Sequence, residues 1–350
     1  MKNNIALISS PLQALVIFLI IKTDKSVRDQ RFTLLVEGDL NFPSLANVTV
    51  LKIFDTRGCK TEAISKNIKI IDRVVKDKCT LWLSDIFWPM NNIALARLLK
   101  SNFIAEVNII DEGIVLYLQT RVSVYKYIRE LFKIILVMFH CGRRVAFIGI
   151  NPFHNIPFLK SIYAIHPNLL KKVDRIKSID ISPAAIHAFN VASKKRKGQG
   201  MLFENNYCEI QVLTLNQPYY RISGHYKYKQ LIHKLNNFVD KLSPNKKFVR
   251  LHPSDDKGIY SKVFMELGYL EDIATVGCPV EVDLAQLSDK TILISINSSA
   301  LLNAKRFGFR GTVISFGLDW LADIYPMQKS MFLKQEYLFN NLGVSVQNAN

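Results

Sequence analysis

The sequence has few cysteines, and their positions argue against two common kinds of stabilising site. Its 350 residues include only five cysteines, all far apart and odd in number. They form no CxxC pair and no cysteine–histidine cluster with metal-ligand spacing. The sequence therefore predicts neither a disulfide framework nor a zinc site, and favours buried, reduced thiols in a cytoplasmic protein.

Acidic residues are scarce relative to basic ones. Lysine and arginine number 46 against 29 aspartates and glutamates, which gives a formal net charge of +17. Such a charge is typical of proteins that bind nucleic acid, an anionic membrane surface or a polyanionic small molecule. The basic residues are spread along the chain without a recognition-helix, zinc or base-stacking motif, so nucleic acid is not an expected partner. A basic nucleic-acid-binding protein is the alternative that charge alone supports.

The N-terminus lacks the cleavage site of a secretion signal, although it is strongly apolar. Two apolar runs, Ile5–Ile8 and Leu12–Ile21, are separated by Ser9–Pro11. They are followed by the charged stretch Lys22–Lys25 and by no small-residue cleavage site. We interpret the region as the first strand, turn and helix of a cytoplasmic domain, with a secretion signal as the alternative.

Short apolar runs alternate with segments of helical length through the first half of the chain. The predicted strands are Asn4–Ile8, Phe32–Val36, Val48–Ile53, Thr80–Leu83, Glu106–Ile110 and Arg144–Ile148, and the predicted helices are Leu12–Lys22, Lys60–Lys76, Asn92–Leu99 and Val122–Phe139. This alternation predicts a parallel sheet covered by helices on both faces. The strands have few polar interruptions, as expected of strands buried on both sides.

A basic, glycine-containing stretch at 193–200 interrupts the alternation and predicts a domain boundary. A second series of strands and helices follows it. Its predicted strands are Glu209–Leu215, a strand from Phe248, Thr291–Ile296 and Thr312–Phe316, and its predicted helices are Tyr226–Leu242, Ser261–Leu267 and one from Ser299. The predicted fold class is α/β, with two Rossmann-like domains and an interdomain cleft, as in GT-B-type glycosyltransferases.

The expected domain limits follow from that boundary. We predict an N-terminal domain over 1–190, a linker over 191–206, a C-terminal domain over 207–325 and a tail over 326–350; the likeness to GT-B enzymes implies that the first is the acceptor-side domain and the second the nucleotide-sugar domain. The tail is expected to be helical at Met331–Asn341 and to return toward the cleft.

Asp111, Glu112 and Gly113 come directly after a predicted strand. Two adjacent carboxylates repel when both are ionised, which raises the pKa of one toward the range of a general base. Gly113 allows the chain to turn without a Cβ clash. The commoner explanation of such a tripeptide is a turn with Asp111 capping a helix.

His252 and Pro253 end the predicted strand that begins at Phe248. Proline stops the strand, so His252 is expected at its carboxyl end, where α/β sheets bind ligands. A histidine there can protonate or hydrogen-bond a phosphate leaving group. A second such dipeptide begins at His166, which we interpret as structural because no partner motif accompanies it.

Ser298 and Ser299 follow a predicted strand and begin a predicted helix. The first turn of a helix offers free backbone N–H groups, and the hydroxyls add donors, so a phosphate fits there. Plain helix capping by Asn297 or Ser298 is the alternative. A carboxylate at Glu281 can accept both hydroxyls of a ribose; an ordinary surface glutamate at a helix start is equally compatible with the pattern.

Taken in order, an acidic pair with glycine, a His-Pro dipeptide and a serine pair resemble the motif set of bacterial sialyltransferases and polysialyltransferases. Glu281 and Ser298 lie 29 and 46 residues after His252, close to the spacing expected of that set. The stretches Ile5–Gln13 and Leu213–Pro218 are similar to the lipooligosaccharide sialyltransferase group.

The resemblance implies an inverting, metal-independent transfer of sialic acid from CMP-sialic acid, without a cofactor. The acceptor would be a terminal sugar such as galactose on a lipooligosaccharide, O-antigen or capsule. Asp111 would be the base and Glu112 would orient it, while His252 would act on the departing phosphate. Gly113, Pro253, Glu281, Ser298 and Ser299 would complete the donor site. A polysialyltransferase or a Kdo transferase is the alternative within the same fold.

The segment Tyr125–Arg144 combines apolar residues with five basic ones. It is compatible with contact to the inner face of a membrane, near a lipid-linked acceptor. A buried core helix explains its apolar part equally well.

Overall fold

A computed structural model describes most of the chain as two compact units. The described residues are 3–38, 40, 42–56, 60–118, 128, 131–132, 134–137, 139, 156–170, 173–194, 209–252, 259–271 and 279–349. The first unit comprises Met1–Ser193 with Gly277–Pro279, and the second comprises Lys194–Val276 and Val280–Asn350. Twelve of the sixteen positions of the predicted linker, 191–206, lie outside the described residues, namely those from 195 onward.

The first unit is built on a seven-stranded sheet. Its strands are β1 (Asn3–Ile8), β2 (Arg31–Glu37), β3 (Val48–Ile53), β4 (Cys79–Leu83), β5 (Ile104–Ile110), β6 (Leu159–Ala164) and β7 (Ile176–Ser178). The order is β3-β2-β1-β4-β5-β6-β7, and every neighbouring pair is parallel.

The helices of this unit are α1 (Pro11–Thr23), α2 (Thr61–Val74), α3 (Pro89–Lys100), α4 (Ile114–Leu118) and α5 (Pro183–Lys194). Ser10 caps α1 by accepting a hydrogen bond from the backbone N–H of Gln13, and Pro11 occupies its first turn. All ten residues from Leu12 to Ile21 are buried. A helix that is apolar on all sides is typical of a protein core. This burial explains why the sequence of α1 resembles the apolar part of a secretion signal.

The sheet's packing centres on Trp82 in β4, which is fully buried. Its ring lies 5.7 Å from that of Phe32 and 5.2 Å from that of Tyr163, measured between centroids. Its indole N–H donates to the side-chain oxygen of Asn4 at 3.0 Å. One aromatic side chain thus contacts β1, β2 and β6 with its single polar atom satisfied.

The predictions for the first half are largely confirmed. β1 to β5 and α1 to α3 lie where the sequence predicts them, and β3 has the predicted bounds. The predicted strand Arg144–Ile148 lies outside the described residues. The described residues within predicted helix Val122–Phe139 are helical. β6 and β7 were not predicted, because β6 carries Lys160 and Ser161 near its start and β7 has only three residues.

The second unit contains a six-stranded parallel sheet. Its strands are β8 (Gln211–Leu215), β9 (Lys246–Arg250), β10 (Leu270–Glu271), β11 (Thr291–Ser295), β12 (Thr312–Phe316) and β13 (Ser345–Gln347), in the order β10-β9-β8-β11-β12-β13. Its helices are α6 (Tyr220–Ser223), α7 (His225–Lys241), α8 (Ile259–Glu266), α9 (Glu281–Leu284), α10 (Ser299–Asn303), α11 (Leu318–Ile324) and α12 (Lys329–Asn341).

Most predictions for the second half are also confirmed. The predicted strands match β8, β9, β11 and β12, and the helix predicted at Met331–Asn341 is α12. The helix predicted from Ser299 is α10, which has five residues. The chain beyond α12 forms β13, which pairs with β12 in the second sheet. That the tail returns toward an interdomain cleft stays a prediction.

Two parallel sheets with interleaved helices confirm the predicted α/β class with two Rossmann-like domains. Among the described residues, no helix combines the length and apolar character needed to cross a bilayer.

Candidate active site

Each sheet reverses its strand order at one point, and the predicted site residues follow strands near those points. In the first sheet the reversal lies between β1 and β4, and in the second between β8 and β11. Open α/β sheets bind ligands beyond the carboxyl ends of the strands at such reversals. Each unit therefore has one edge on which a site is expected.

Asp111 immediately follows β5 and has no exposed surface. Its Oδ1 accepts a hydrogen bond from the backbone N–H of Gly113 at 2.7 Å. Its Oδ2 accepts one from the backbone N–H of Ile165 at 2.8 Å and another from the hydroxyl of Tyr117. This carboxyl group thus joins the ends of β5 and β6 to α4.

Burial raises the pKa of Asp111 to about 6, while the three hydrogen bonds from Tyr117, Ile165 and Gly113 oppose the rise. The sequence predicted a raised pKa from repulsion between two adjacent carboxylates. The direction is confirmed, but the cause was wrong, because desolvation and not Glu112 dominates.

Glu112 and Gly113 form the turn between β5 and α4. Glu112 is half-buried, whereas Gly113 is buried with a φ of 97°. That angle lies in the region that favours glycine, as the sequence predicted. Glu112 is therefore the more exposed of the two carboxylates.

His166 lies beside this turn, which the sequence did not predict. It follows β6, the sheet neighbour of β5, and its backbone N–H donates to the Tyr117 hydroxyl at 2.9 Å. The two rings pack edge to face with centroids 5.8 Å apart. The interpretation that no partner motif lies near His166 was therefore wrong. Finding it required the pairing of β5 with β6, which no local pattern reveals.

Another polar network links β1 and β4 at the same edge. The Gln13 side-chain oxygen accepts from the backbone N–H of Ser9 at 2.8 Å, and its amide nitrogen donates to the Ser84 hydroxyl at 2.8 Å. Gln13 and Ser84 are both buried. The motif Ile5–Gln13 thus crosses the reversal point of the first sheet and fixes the loops on both sides of it.

His252 lies two residues beyond β9 and is half-buried. Just before it, Arg250 is buried and its Nη2 donates to Oδ2 of buried Asp283 at 3.2 Å. The sequence analysis did not include Arg250 among the site residues. A single arginine in an apolar strand does indicate a buried ion pair, because a buried charge needs a partner. Pro253 lies outside the described residues.

Ser298 and Ser299 follow β11 and are half-buried. Ser298 caps α10 by accepting from the backbone N–H of Ala300 at 3.3 Å, which confirms the predicted capping. The hydroxyl of Tyr219 donates to the side-chain oxygen of Asn297. Tyr219 thereby connects the loop after β8 with the loop after β11, across the reversal point.

Glu281 begins α9 and is buried, so the interpretation of an ordinary surface glutamate was wrong. Its Oε1 accepts from the side-chain amide of Asn303 at 3.3 Å. Asn303 ends α10, so Glu281 is tied to the helix that Ser298 caps. Binding of a ribose by Glu281 stays a prediction.

The two edges differ in chemistry. The described residues of the first present carboxylates, hydroxyls and an amide, whereas those of the second present an imidazole and two hydroxyls above a buried arginine–aspartate pair. No group of three or more histidine, cysteine, aspartate or glutamate side chains arranged for a metal occurs in the described part of the chain.

No family model matches the chain, and no curated protein matches its sequence. Its folded structure does match. A 2,6-sialyltransferase from a Photobacterium species, solved with CMP and lactose, aligns over 99% of this chain and 78% of its own, with a TM-score of 0.56 and 12% identity. The GT-B domain of a Photobacterium damselae sialyltransferase aligns over 99% and 100%, with a TM-score of 0.53 and 11% identity.

The chain has the GT-B fold. UDP-GlcNAc 2-epimerase from Methanocaldococcus jannaschii, solved with UDP-GlcNAc and UDP, is about as similar, with a TM-score of 0.55, 12% identity, and coverage of 100% of this chain and 90% of the other. Identities this low establish the GT-B fold alone. Because GT-B folds host both transfer and epimerisation, function must be argued from the site residues.

Proposed function

We propose that this GT-B protein transfers sialic acid from CMP-sialic acid to a terminal sugar of a bacterial surface glycan, with inversion and without a metal ion. One observation carries the proposal. His252 follows β9 and Ser298 follows β11, and these two strands flank β8 on either side. The His-Pro and serine motifs, 46 residues apart in sequence, thus follow the two strands that neighbour β8, beside the reversal point of the second sheet.

In this proposal the second unit binds the donor. His252 protonates or hydrogen-bonds the phosphate of the departing CMP, and the hydroxyls of Ser298 and Ser299 bind its oxygens. A proline ring fixes its own backbone φ, so Pro253 restricts the chain directly after His252. CMP leaves with a single phosphate, so an imidazole and a few preorganised donors suffice to stabilise the developing charge. Glu281 accepts the hydroxyls of the ribose.

The first unit supplies the base. A carboxyl group with a pKa of about 6 is largely ionised at neutral pH yet still basic enough to accept a proton from a sugar hydroxyl. Asp111 is the base in this proposal, while Glu112 orients the acceptor and Gly113 shapes the turn. Since Asp111 has no exposed surface in the ligand-free protein, the acceptor hydroxyl reaches it only after the turn or Tyr117 shifts.

The expected partners follow from the reaction. They are CMP-sialic acid and a galactose-terminated glycan or glycolipid made in the cytoplasm. Nucleic acid is not among them.

The decisive experiment measures release of CMP from CMP-sialic acid, with and without a lactose-type acceptor. Wild type, His252→Ala and the control His233→Ala, which alters an exposed histidine on α7, are compared. We expect acceptor-dependent release by wild type and the control, and its loss in His252→Ala with unchanged thermal unfolding.

Other results would identify a different function. Turnover of UDP-GlcNAc to its 2-epimer, or of CMP-Kdo in preference to CMP-sialic acid, would replace the proposed donor. Repeated addition to one acceptor would indicate a polysialyltransferase. Salt-dependent DNA binding with no binding of CMP would favour the nucleic-acid alternative.

A further inference from the structure

The chain that leads from β11 to the serine pair at 298–299 is hydrogen-bonded to the strand on each side of it. Ser295 ends β11, and its hydroxyl donates to the backbone oxygen of Leu215 in β8 at 2.8 Å. On the other side, the hydroxyl of Ser315 in β12 donates to the backbone oxygen of Ile296 at 2.5 Å. Both donor serines are buried, so these bonds lie in a low-dielectric environment that strengthens them. The path of the chain up to Ile296 is therefore fixed by β8 and β12.

Tyr219 extends this support by one residue. Its hydroxyl donates to the side-chain oxygen of Asn297, the residue directly before Ser298. The loop that carries Tyr219 is itself held in place, because the hydroxyl of buried Tyr228 donates to the backbone oxygen of Gln217 at 2.5 Å. Tyr219 thus joins a supported loop after β8 to the start of the serine pair.

The position of Asn297 affects how both serine hydroxyls are presented. Ser298 caps α10 in an extended backbone conformation, and Ser299 is the first residue of that helix. A helix of five residues has few hydrogen bonds of its own, so its first turn depends on the chain that precedes it. A side chain that fixes Asn297 therefore also fixes where α10 begins.

We propose that Tyr219 is a positioning residue, which holds Asn297 so that the hydroxyls of Ser298 and Ser299 meet the phosphate of the bound nucleotide. This inference rests on the phosphate-binding role of the serine pair in the proposed function, but not on the identity of the base or the sugar. A side chain that is ordered only when the ligand binds reduces the affinity, whereas one already in place does not. Tyr219 therefore increases the affinity for the phosphate without contacting it.

The test compares binding of CMP with binding of cytidine, which lacks the phosphate, by titration calorimetry. Tyr219→Phe removes the hydroxyl and keeps the ring. The matched control is Tyr260→Phe, which removes the hydroxyl of a buried tyrosine that is hydrogen-bonded to Nδ1 of His225 at 2.7 Å. We expect Tyr219→Phe to raise the Kd for CMP about threefold to tenfold and to leave the Kd for cytidine unchanged, whereas the control changes neither.

A double-mutant cycle tests whether Tyr219 acts through the serine pair. In a background of Ser298→Ala with Ser299→Ala, the further change Tyr219→Phe should have no effect on the Kd for CMP, because the groups that it positions are absent. Thermal unfolding of each variant checks the fold. Asn297→Ala, which removes the acceptor of the same hydrogen bond, repeats the comparison if Tyr219→Phe is unstable.

Two results would overturn this inference alone. They are an unchanged Kd for CMP in Tyr219→Phe, and an equal loss of affinity for CMP and cytidine, which would mean that Tyr219 supports the whole site and not the phosphate. Wild type that binds CMP no more tightly than cytidine would overturn both this inference and the proposed donor site. Wild type that binds UDP in place of CMP would overturn the proposed function only, and UDP with uridine would then test Tyr219 in the same way.

Discussion

The two sheet edges share a topology but treat charge in opposite ways. At the edge of the first unit, the carboxyl group of Asp111 is fully buried and accepts hydrogen bonds from two backbone N–H groups and the Tyr117 hydroxyl. At the edge of the second unit, the buried charge is the Arg250 guanidinium, which Asp283 neutralises, and the half-buried His252 lies nearby in sequence. In the proposed reaction the first edge takes up a proton and the second binds the phosphate of the donor.

This difference shows how one architecture provides two chemical environments. The backbone supplies similar strand ends in both units, so the distinction comes from a few side chains and their burial. Burial at the first edge raises the pKa of Asp111 to about 6. At the second, Arg250 and Asp283 are buried as an ion pair, whereas His252, Ser298 and Ser299 are half-buried.

The largest expected effect distinguishes the two histidines that precede a proline. His252→Ala is expected to lower kcat by about 10²–10⁴-fold, the usual contribution of a general acid. His166→Ala should lower kcat far less while reducing the melting temperature, because its ring packs on Tyr117. Steady-state kinetics and calorimetry on both variants test this. Equal losses of activity would mean that the two edges do not differ in this way.

The next effect concerns the buried ion pair of the second unit. Asp283→Ala leaves the Arg250 guanidinium without this buried partner, which should cost about 3–5 kcal/mol of unfolding free energy. Urea unfolding measures the loss. Asp289→Ala, at an exposed position, is the control and should have almost no effect. A small loss for Asp283→Ala would indicate that solvent reaches the guanidinium.

Asp111→Asn tests the carboxyl group of the first edge. It should lower kcat by about 10²-fold, whereas Glu112→Gln should lower it less. Because transfer requires the ionised form, wild-type activity should fall as the pH drops through about 6. A variant Glu112→Gln that is as inactive as Asp111→Asn would contradict the assignment of the base.

The same carboxyl group also affects stability, with a defined sign. Its pKa is raised from an ordinary 3.8 to about 6, so its stabilising contribution is complete below pH 3.8 and is lost as the pH rises through about 6. Unfolding free energies of wild type and Asp111→Asn, measured across this window, should therefore converge or cross as the pH rises. A constant difference would show that Asp111 has an ordinary pKa.

The smallest effect is expected from Tyr117→Phe. Its hydroxyl donates to Asp111 and accepts from the backbone N–H of His166, so the change removes two hydrogen bonds and should cost about 1–3 kcal/mol of stability. Because the Tyr117 hydroxyl lowers the pKa of Asp111, its removal should shift the acidic limb of the activity profile to higher pH. The pH dependence of kcat/KM measures this shift, and a limb that moves to lower pH would contradict the hydrogen-bond assignment.

The sequence predicted the strands that are short runs rich in apolar and β-branched residues. Val48–Ile53 and Thr312–Phe316 are examples, and both have the predicted bounds. It could not predict β7 and β13, since each is only three residues long and depends on pairing with a distant strand. Periodicity carries no information at that length.

The candidate site was predictable where a motif is local. Gly113 at a positive φ and Ser298 as a helix cap both follow from their immediate neighbours. The burial of Glu281 and the contact of His166 with Tyr117 depend on pairing between remote segments. Contacts between segments far apart in the chain are set by the tertiary structure, so a single sequence does not predict them.

The position of β1 and β8 within their sheets has a consequence for the order of folding. Each is the first strand among the described residues of its unit and pairs with later strands on both sides. The residues of β1 find one partner in β2 and the other only at Cys79–Trp82, more than seventy positions further along. Because the intervening chain must close into a long loop first, the stabilising contacts between such distant strands form late. Each unit is therefore expected to fold slowly. The last pairing to form for β1 is with β4, and for β8 it is with β11.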